Sequence, residues 1–266
     1  MKLSLVQMLV GSDKEENVRK ACGAIKISAQ KGAQMVVLPE MFACPYDNAS
    51  FVRNAEEVDG FIYHSIAESA RENGVWVVAG SFPEREGKKL FNTSFVFDDL
   101  GNEIAHHRKL HLFDINIEGG QRFCESDTFS AGDEITVFDT PFGRMGLMIC
   151  FDLRFGELSR AMALAGAKLL LAPAAFNKTT GPMHWDLILR TRAVDNGVFV
   201  AAVSPARDES ASYIAYGHSA LVSPWGELVC RMGSDEAITI AEVDFSLVEA
   251  VRRQLPILSA RRTDLY

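Results

Sequence analysis

The chain lacks the patterns that mark several large classes of protein. Its apolar runs are too short to cross a bilayer as helices. It has no phosphate-binding glycine loop, no Gly-x-Gly-x-x-Gly turn and no His-Glu-x-x-His helix. Positive charge is scarce, since 27 lysines and arginines face 35 aspartates and glutamates and leave a formal net charge of −8. These absences argue against a membrane protein, nucleotide binding through those motifs, a zincin and a general nucleic-acid binder.

Cysteine is also sparse, and its placement limits the redox chemistry of the chain. The five cysteines are odd in number, and no two of them form a Cys-x-x-Cys pair. They are Cys22, Cys44, Cys124, Cys150 and Cys230. A reduced, cytoplasmic protein fits this set better than a disulfide-bonded or zinc-bound one. A redox role for Cys44 or Cys124 stays open, because it depends on which thiols lie close together in space.

What the sequence does contain is an internal duplication. Each half has Gly-Ala, an apolar strand, a proline and a phenylalanine at the same offsets, followed by Asn-Gly-Val before a second apolar strand. The matching segments are 32–42 with 166–176, 73–81 with 196–204, and 94–101 with 219–226. Three matches in the same order favour a duplicated fold over chance recurrence of strand and turn residues.

The spacing of apolar residues predicts the elements of each half. Helical spacing predicts helices at 14–31, 61–73, 155–166 and 184–196. Continuous apolar runs predict strands buried on both faces at 35–38, 75–79, 145–149, 168–172 and 198–203. We therefore expect an α/β fold, a four-layer α-β-β-α sandwich with a pseudo-twofold axis, in a single domain over residues 1–266. The apolar tail, about 250–266, is expected to pack, and a second subunit is a candidate surface.

Three residues whose side chains could take part in catalysis lie at the boundaries of apolar runs. Cys150 ends the run 144–150, Glu40 ends the run 35–40, and Lys109 precedes an apolar stretch. Each residue also has a non-catalytic interpretation. Cys150 could be a structural thiol, Glu40 an acid at a helix start, and Lys109 a solvated charge. The duplication weakens the alternative for Glu40, since the equivalent position is Ala174. A thiol, a carboxylate and an ammonium in one cavity can hydrolyse an amide, although pairing of the thiol with a histidine stays open.

The segments around these residues resemble the signatures of the nitrilase superfamily of carbon–nitrogen hydrolases. They are Leu38-Pro-Glu40, His107-Arg-Lys-Leu-His111 and Ile149-Cys-Phe-Asp-Leu-Arg-Phe155. Further stretches at 175–182, 192–196, 204–208 and 216–219 resemble the ω-amidase branch. The resemblance extends over nearly the whole chain. It implies the α-β-β-α sandwich, assembly as a homodimer or a multiple of dimers, and no metal or organic cofactor.

The resemblance also implies catalytic roles. Cys150 matches the nucleophile, Glu40 the general base and Lys109 the cation that stabilises the oxyanion. Glu125, which by itself reads as an ordinary turn carboxylate, matches the second glutamate that positions substrate and lysine. The implied reaction releases ammonia from a small carboxylate-bearing amide, such as α-ketoglutaramate or α-ketosuccinamate, through a thioester.

Substrate binding requires further residues. The N–H of Phe151 is expected to help bind the oxyanion, and Arg154 to bind the substrate carboxylate, with a salt bridge to Glu157 as the alternative. Pocket-lining candidates are Tyr46, Phe176, Thr179 and Thr180.

Two rival functions remain open at this point. One is another hydrolase of the same superfamily: an aliphatic amidase, an N-carbamoyl amino acid hydrolase, a deaminated glutathione amidase or a nitrilase. The other is an inactive scaffold that binds a partner through the same sandwich. The presence of all four candidate polar residues disfavours the scaffold.

Overall fold

Buried strands alternate with amphipathic helices along the chain, and the computed structural model describes residues 1–118 and 122–265. The helices are α1 (Lys14–Gln30), α2 (Asn48–Asn54), α3 (Phe61–Asn73), α4 (Gly156–Leu164), α5 (Gly181–Asn196) and α6 (Phe245–Gln254). The strands are β1 (Lys2–Gln7), β2 (Met35–Val37), β3 (Glu56–Glu57), β4 (Trp76–Val78), β5 (Phe82–Glu86), β6 (Lys89–Phe97), β7 (Glu103–Arg108), β8 (Asp114–Asn116), β9 (Arg122–Cys124), β10 (Thr136–Thr140), β11 (Gly143–Leu147), β12 (Leu169–Pro173), β13 (Phe199–Val203), β14 (Ala220–Val222), β15 (Leu228–Arg231) and β16 (Ala237–Glu242). Short 3₁₀ turns lie at Glu125–Asp127 and Cys150–Arg154.

The strands form two main sheets that repeat one plan. The first has the order β16-β1-β2-β4-β6-β5-β3, with β7 also paired to β6, and the second has the order β10-β11-β12-β13-β14-β15. Each contains three adjacent parallel strands, β1-β2-β4 and β11-β12-β13. Antiparallel strands flank each set on both sides. The repeated plan confirms the duplication that the sequence predicts.

Three apolar clusters separate the layers. Between the sheets, Leu3 and Leu5 of β1 share one cluster with Leu169 and Leu171 of β12. The outward residues of the first sheet pack on α1 and α3, and those of the second sheet pack on α4 and α5. Because both faces of each sheet are covered, the central strands are continuously apolar. The layers are therefore α, β, β and α, as expected.

The predicted elements are present, with boundaries that differ by one to three residues. Helices α3 and α5 end at Gly74 and Gly197, whose positive φ angles of 58° and 56° are the left-handed conformation that glycine adopts at low cost. The strand predicted over 145–149 ends earlier, at Leu147. The chain leaves the sheet there because it turns to begin the 3₁₀ segment at Cys150.

Strand ends bring the candidate residues into one region. Glu40 follows β2, Cys150 follows β11, Ala175 follows β12, and Lys109 follows β7 directly. Loops at the carboxyl ends of parallel strands are where α/β proteins commonly place their sites.

Beyond α6 the tail lies on the outside of the molecule. Leu258 packs partly against the cluster that α4 and α5 form with the second sheet, while most of residues 255–265 are half-buried or exposed. None of the helices in the described residues is both long enough and apolar enough to cross a membrane.

Candidate active site

Cys150 lies at a strained turn. It is the first residue of the 3₁₀ segment after β11, and its φ of 47° is unusual for a residue with a side chain. Such a conformation costs on the order of 1–3 kcal/mol and must be held by its surroundings. The residue is 3% exposed, and the N–H of Ala175 points at its sulfur with an N to Sγ distance of 3.4 Å. Burial raises the pKa of the thiol, and the charge of Glu40 raises it further.

Glu40 uses one carboxylate oxygen for structure and leaves the other free. Its Oε1 accepts hydrogen bonds from Lys109 Nζ at 2.8 Å, Asn92 Nδ2 at 2.9 Å and the Tyr46 hydroxyl at 3.3 Å. Its Oε2 is buried and has no hydrogen-bond partner in the described residues. Burial raises the pKa of Glu40, opposed by the charge of Lys109, and the charge of Glu125 adds to the rise. A buried carboxylate oxygen without a partner beside a thiol is suited to accept the thiol proton.

Lys109 lies between two carboxylates and is completely buried. Its Nζ is 2.8 Å from Glu40 Oε1 and 2.9 Å from Glu125 Oε2. Burial lowers the pKa of the ammonium, but the charges of Glu125 and Glu40 outweigh this effect and raise the pKa above its ordinary value. The lysine therefore carries a permanent positive charge inside the site.

Glu125 completes the cluster from the other 3₁₀ turn. Its Oε2 accepts the N–H of Phe113 at 2.7 Å, and its Oε1 accepts the Tyr46 hydroxyl at 2.8 Å as well as Lys109 Nζ at 3.0 Å. The residue is fully buried. Asn92 Nδ2 is a fourth donor, at 3.4 Å from Oε1. A turn carboxylate held by four donors is fixed in place, and it fixes the lysine in turn.

Sequence reasoning missed two polar contributors. Asn92 on β6 donates from Nδ2 to both Glu40 and Glu125, and it is fully buried. A signal existed, because Asn92, Thr93 and Ser94 interrupt an otherwise apolar strand. The second contributor is the backbone N–H of Ala175, for which a sequence carries no signal.

A cavity of about 260 Å³ opens beside the cluster. Its lining includes Glu40, Tyr46, Ala175 and Tyr213, and the two tyrosine rings stack with centroids 4.4 Å apart. A volume of this order suits a small molecule. Within residues 1–118 and 122–265, no group of three or more His, Cys, Asp or Glu side chains is arranged so that it could hold a metal ion.

Of the predicted substrate-binding residues, only Tyr46 lines this cavity; the lining does not include Phe151, Arg154, Phe176, Thr179 or Thr180. Phe176 is buried edge-on against Trp185, Thr179 is exposed, and Thr180 is half-buried beside Arg154. The ring of Phe151 packs on Phe113.

Arg154 is half-buried at the end of the 3₁₀ turn that begins at Cys150. Its Nη1 is 3.1 Å from His184 Nδ1, its Nη2 is 3.4 Å from Thr180 Oγ1, and its guanidinium carbon lies 4.9 Å from the centre of the Phe176 ring. Within the described residues it makes no ion pair with a carboxylate within 4.0 Å, and the alternative partner Glu157 does not reach it. A guanidinium without a carboxylate partner retains the capacity to bind one.

The remaining cysteines show no sign of a redox pair. All five cysteines are free thiols. Burial raises the pKa of Cys44 to about 12, so that this thiol stays protonated and unreactive at neutral pH.

Two stacked sheets, with a thiol, two carboxylates and an ammonium gathered at their strand ends, define a class of protein: the hydrolases of the nitrilase superfamily. A family model described as "Carbon-nitrogen hydrolase" matches residues 2–253. The chain belongs to the carbon-nitrogen hydrolase family, whose members cut carbon–nitrogen bonds other than peptide bonds. The resemblance inferred from the three sequence segments is thereby confirmed.

Relatives and solved structures agree with this assignment. The chain is 50% identical over 265 residues to Omega-amidase NIT2-A of Xenopus laevis and 46% identical to Omega-amidase NIT2 of Homo sapiens, in each case over 100% of this chain and 96% of the relative. Among solved structures, Nit3 of Saccharomyces cerevisiae, a member of branch 10 of the nitrilase superfamily, is 37% identical with a TM-score of 0.90, over 98% of this chain and 96% of that one. An amidase variant from Nesterenkonia sp. AN1, with acrylamide added to its active-site cysteine, is 25% identical with a TM-score of 0.84, over 100% and 98%.

The burial of the lysine gives a prediction about stability. Replacing Lys109 with methionine keeps the volume but leaves Glu40 and Glu125 buried without a counter-charge, which is expected to cost about 3–5 kcal/mol of unfolding free energy. The matched control is Lys168→Met, because Lys168 pairs with Glu249 at the surface, where the loss is expected to be below about 1 kcal/mol. Urea denaturation of both variants measures the difference. Equal losses of unfolding free energy in the two variants would show that the buried carboxylates do not need the charge of Lys109 for stability.

Proposed function

We propose that this protein is an ω-amidase, a cysteine-dependent hydrolase that releases ammonia from small carboxylate-bearing amides such as α-ketoglutaramate or α-ketosuccinamate. The observation that carries the proposal is the buried cluster of Glu40, Lys109 and Glu125 next to Cys150. The relatives named omega-amidase, at 46–50% identity over the whole chain, support the choice of this branch over the other hydrolases of the superfamily.

The first half of the reaction forms a thioester. Glu40 accepts the proton of the Cys150 thiol, and the thiolate attacks the amide carbon. Lys109 and the N–H of Phe151 stabilise the oxyanion of the tetrahedral intermediate, where one such donor contributes about 3 kcal/mol. Glu40 then returns the proton to the nitrogen, the carbon–nitrogen bond breaks, and ammonia leaves.

The second half of the reaction repeats the proton transfer with water. Glu40 takes a proton from water, which attacks the thioester carbonyl, and the proton returns to the sulfur as the acid product leaves. One carboxylate serves as base and acid in both halves, and this requires a pKa above that of a solvated glutamate. Burial beside Glu125 supplies such a shift, while Lys109 limits it.

The free carboxylate of the substrate needs its own cation. Arg154 supports this role because it stands four residues after the nucleophile and has no carboxylate partner in the described residues. Its contacts with His184 and Thr180 orient the guanidinium without a carboxylate, and a substrate carboxylate is therefore free to form a bidentate pair with it.

The activity itself is tested with a single-atom change and a matched control. Cys150→Ala is expected to reduce ammonia release from α-ketoglutaramate by about 10⁴-fold or more, because the nucleophile is lost. Cys230→Ala, at a half-buried thiol on β15, is expected to retain the parental rate. Ammonia release is measured against glutamine, asparagine, carbamoyl compounds and nitriles in parallel. A preference for one of those substrates would assign a different hydrolase, and no release from any of them would favour the scaffold.

Substrate selection is tested at Arg154. Arg154→Met keeps the stem of the side chain and removes the charge, and KM for α-ketoglutaramate is expected to rise about 10- to 100-fold, the equivalent of about 1.5–3 kcal/mol of charge-assisted hydrogen bonding. Hydrolysis of a neutral amide such as propionamide should change little. The control is Arg144→Met, at an exposed pair with Asp139. Equal losses on charged and neutral amides would remove Arg154 from carboxylate recognition.

The helix α5 supports assembly as a homodimer or a multiple of dimers. Its outer face carries Met183 and Leu187, exposed by 74% and 63%, and Val194 continues the same stripe. Exposed apolar stripes of this kind mark protein interfaces. Leu187→Glu is expected to shift the protein toward the monomer in sedimentation velocity, whereas Leu100→Glu, at an exposed turn, should not. A protein that is monomeric before any substitution would contradict the proposal.

We also propose a cytoplasmic location for this protein. Its support is the state of the five cysteines, all of which are free thiols. Cell fractionation followed by thiol labelling tests it, and recovery of the protein from an oxidising compartment would contradict it.

A further inference from the structure

A further buried carboxylate, Asp152, lies two residues after Cys150, and in the described residues it makes no hydrogen bond or ion pair with the side chains of Glu40, Lys109, Glu125 or Cys150. Both of its oxygens are used fully. Oδ1 accepts the N–H of His111 at 3.0 Å and lies 2.7 Å from His111 Nδ1. Oδ2 accepts the N–H of Ile149 at 2.9 Å and lies 3.0 Å from His107 Nε2. The residue is 0% exposed, so all four donors come from the protein itself.

These four donors come from two different parts of the site. Ile149 immediately precedes the nucleophile Cys150, whereas His107 and His111 stand two residues before and two residues after Lys109. One carboxylate therefore joins the turn that carries the thiol to the segment that carries the ammonium. Asp152 itself belongs to the nucleophile turn, which it closes by bonding back to Ile149.

The ring of His107 is held at both of its nitrogens. Nε2 lies 3.0 Å from Asp152 Oδ2 and donates to it, because a carboxylate oxygen only accepts. Nδ1 lies 3.1 Å from the Thr136 hydroxyl oxygen, which also lies 3.0 Å from the carbonyl oxygen of His106. The ring is therefore fixed in orientation, with Nε2 facing Asp152.

We propose that Asp152 is a positioning residue of the amidase reaction: hydrogen-bonded to His107 and His111, it holds the Lys109 segment at a fixed distance from the Cys150 turn. The proposal rests on the proposed function for its rate measurements. Burial raises the pKa of Asp152, but the hydrogen bonds of His107 and His111 outweigh it and hold the pKa well below its ordinary value. The carboxylate is thus charged at any working pH.

The strain at Cys150 makes such a restraint necessary. A non-glycine residue at φ 47° relaxes toward the ordinary region when its surroundings allow it. Relaxation would move the sulfur away from Lys109 and Glu40, and a displacement of about 1 Å in a reacting group is enough to lower a rate about 100-fold. Arg154 is held separately, by His184 and Thr180, so substrate binding does not depend on Asp152.

Asp152→Asn tests the proposal. Asparagine keeps the shape of the side chain but replaces one accepting oxygen with an NH₂ group, which cannot accept the hydrogen bonds made to that oxygen. We expect kcat for α-ketoglutaramate to fall about 100-fold with little change in KM. The matched control, Asp139→Asn, changes an exposed aspartate paired with Arg144 and should retain the parental kcat. An unchanged kcat in Asp152→Asn, or a rise in KM with kcat retained, would overturn the proposal.

A readout without substrate separates this proposal from the proposed function. Iodoacetamide alkylation of Cys150, followed by mass spectrometry of its peptide, is expected to be slowed in Asp152→Asn relative to Asp139→Asn even if the natural amide is a different one. Equal alkylation rates would contradict the positioning role, whereas slow alkylation together with no hydrolysis of α-ketoglutaramate by the parent protein would overturn only the choice of substrate.

Two milder variants and one NMR measurement test the proposal even if Asp152→Asn does not fold. His111→Ala removes one of the four bonds from a side chain that is 32% exposed, and we expect a loss of roughly tenfold in kcat. His111→Asn restores a donor at the Nδ1 position and should recover part of that loss. Long-range ¹H–¹⁵N NMR of the unmodified protein should show a proton on Nε2 of His107, the nitrogen that faces Asp152. Absence of the rescue, or a His107 ring that carries its proton only on Nδ1, would contradict the proposed clamp.

Discussion

A single buried ammonium sets the requirements for the whole site. Lys109 is completely removed from water, and an ammonium in that position is stable only when nearby groups replace its hydration. Glu40 and Glu125 do so, each within 3 Å, and Tyr46 and Asn92 hold the two carboxylates in turn. These four residues come from three separate segments of the first half of the chain: the loop after β2, strand β6 and the 3₁₀ turn at Glu125. The loops at this end of the molecule can therefore pack in only one way if the charge is to be balanced.

The duplication explains how one fold positions this cluster, and the differences between its halves show where the chemistry lies. Glu40 in the first half corresponds to Ala174 in the second, and Gly80 corresponds to Val203. Gly80 has a φ of 51°, and a Cβ at this position would lie 2.1 Å from the carbonyl oxygen of Pro39. The backbone at Gly80 therefore passes too close to Pro39, the residue before Glu40, to leave room for a side chain. The equivalent position in the second half is Val203, where a side chain is present. The two halves contribute unequally: the first supplies the acid and the ammonium, and the second supplies the thiol.

Local patterns in the sequence predict those features that depend on local physics. Apolar runs and helix-ending glycines are sufficient for the order of strands and helices, and residues at the ends of apolar runs, such as Glu40 and Cys150, stand out because packing does not require them. Asn92 is visible as a polar residue inside an apolar strand, but the sequence does not reveal its role, since its two carboxylate partners lie 52 and 33 residues away. The same limit applies to Arg154, for which sequence leaves a salt bridge and a free guanidinium equally open until the fold fixes which side chains reach it.

Charge balance also connects the chemistry to the choice of substrate. Glu40, Glu125 and Lys109 together carry a formal charge of −1 when all are ionised. An anionic substrate is therefore repelled by the groups that cleave its amide, unless a cation stands at its other end. In the proposed role, Arg154 is that cation, and it lies on the same short turn as the nucleophile. The turn then sets the separation between amide carbon and carboxylate, so the geometry that strains Cys150 also selects the length of the substrate.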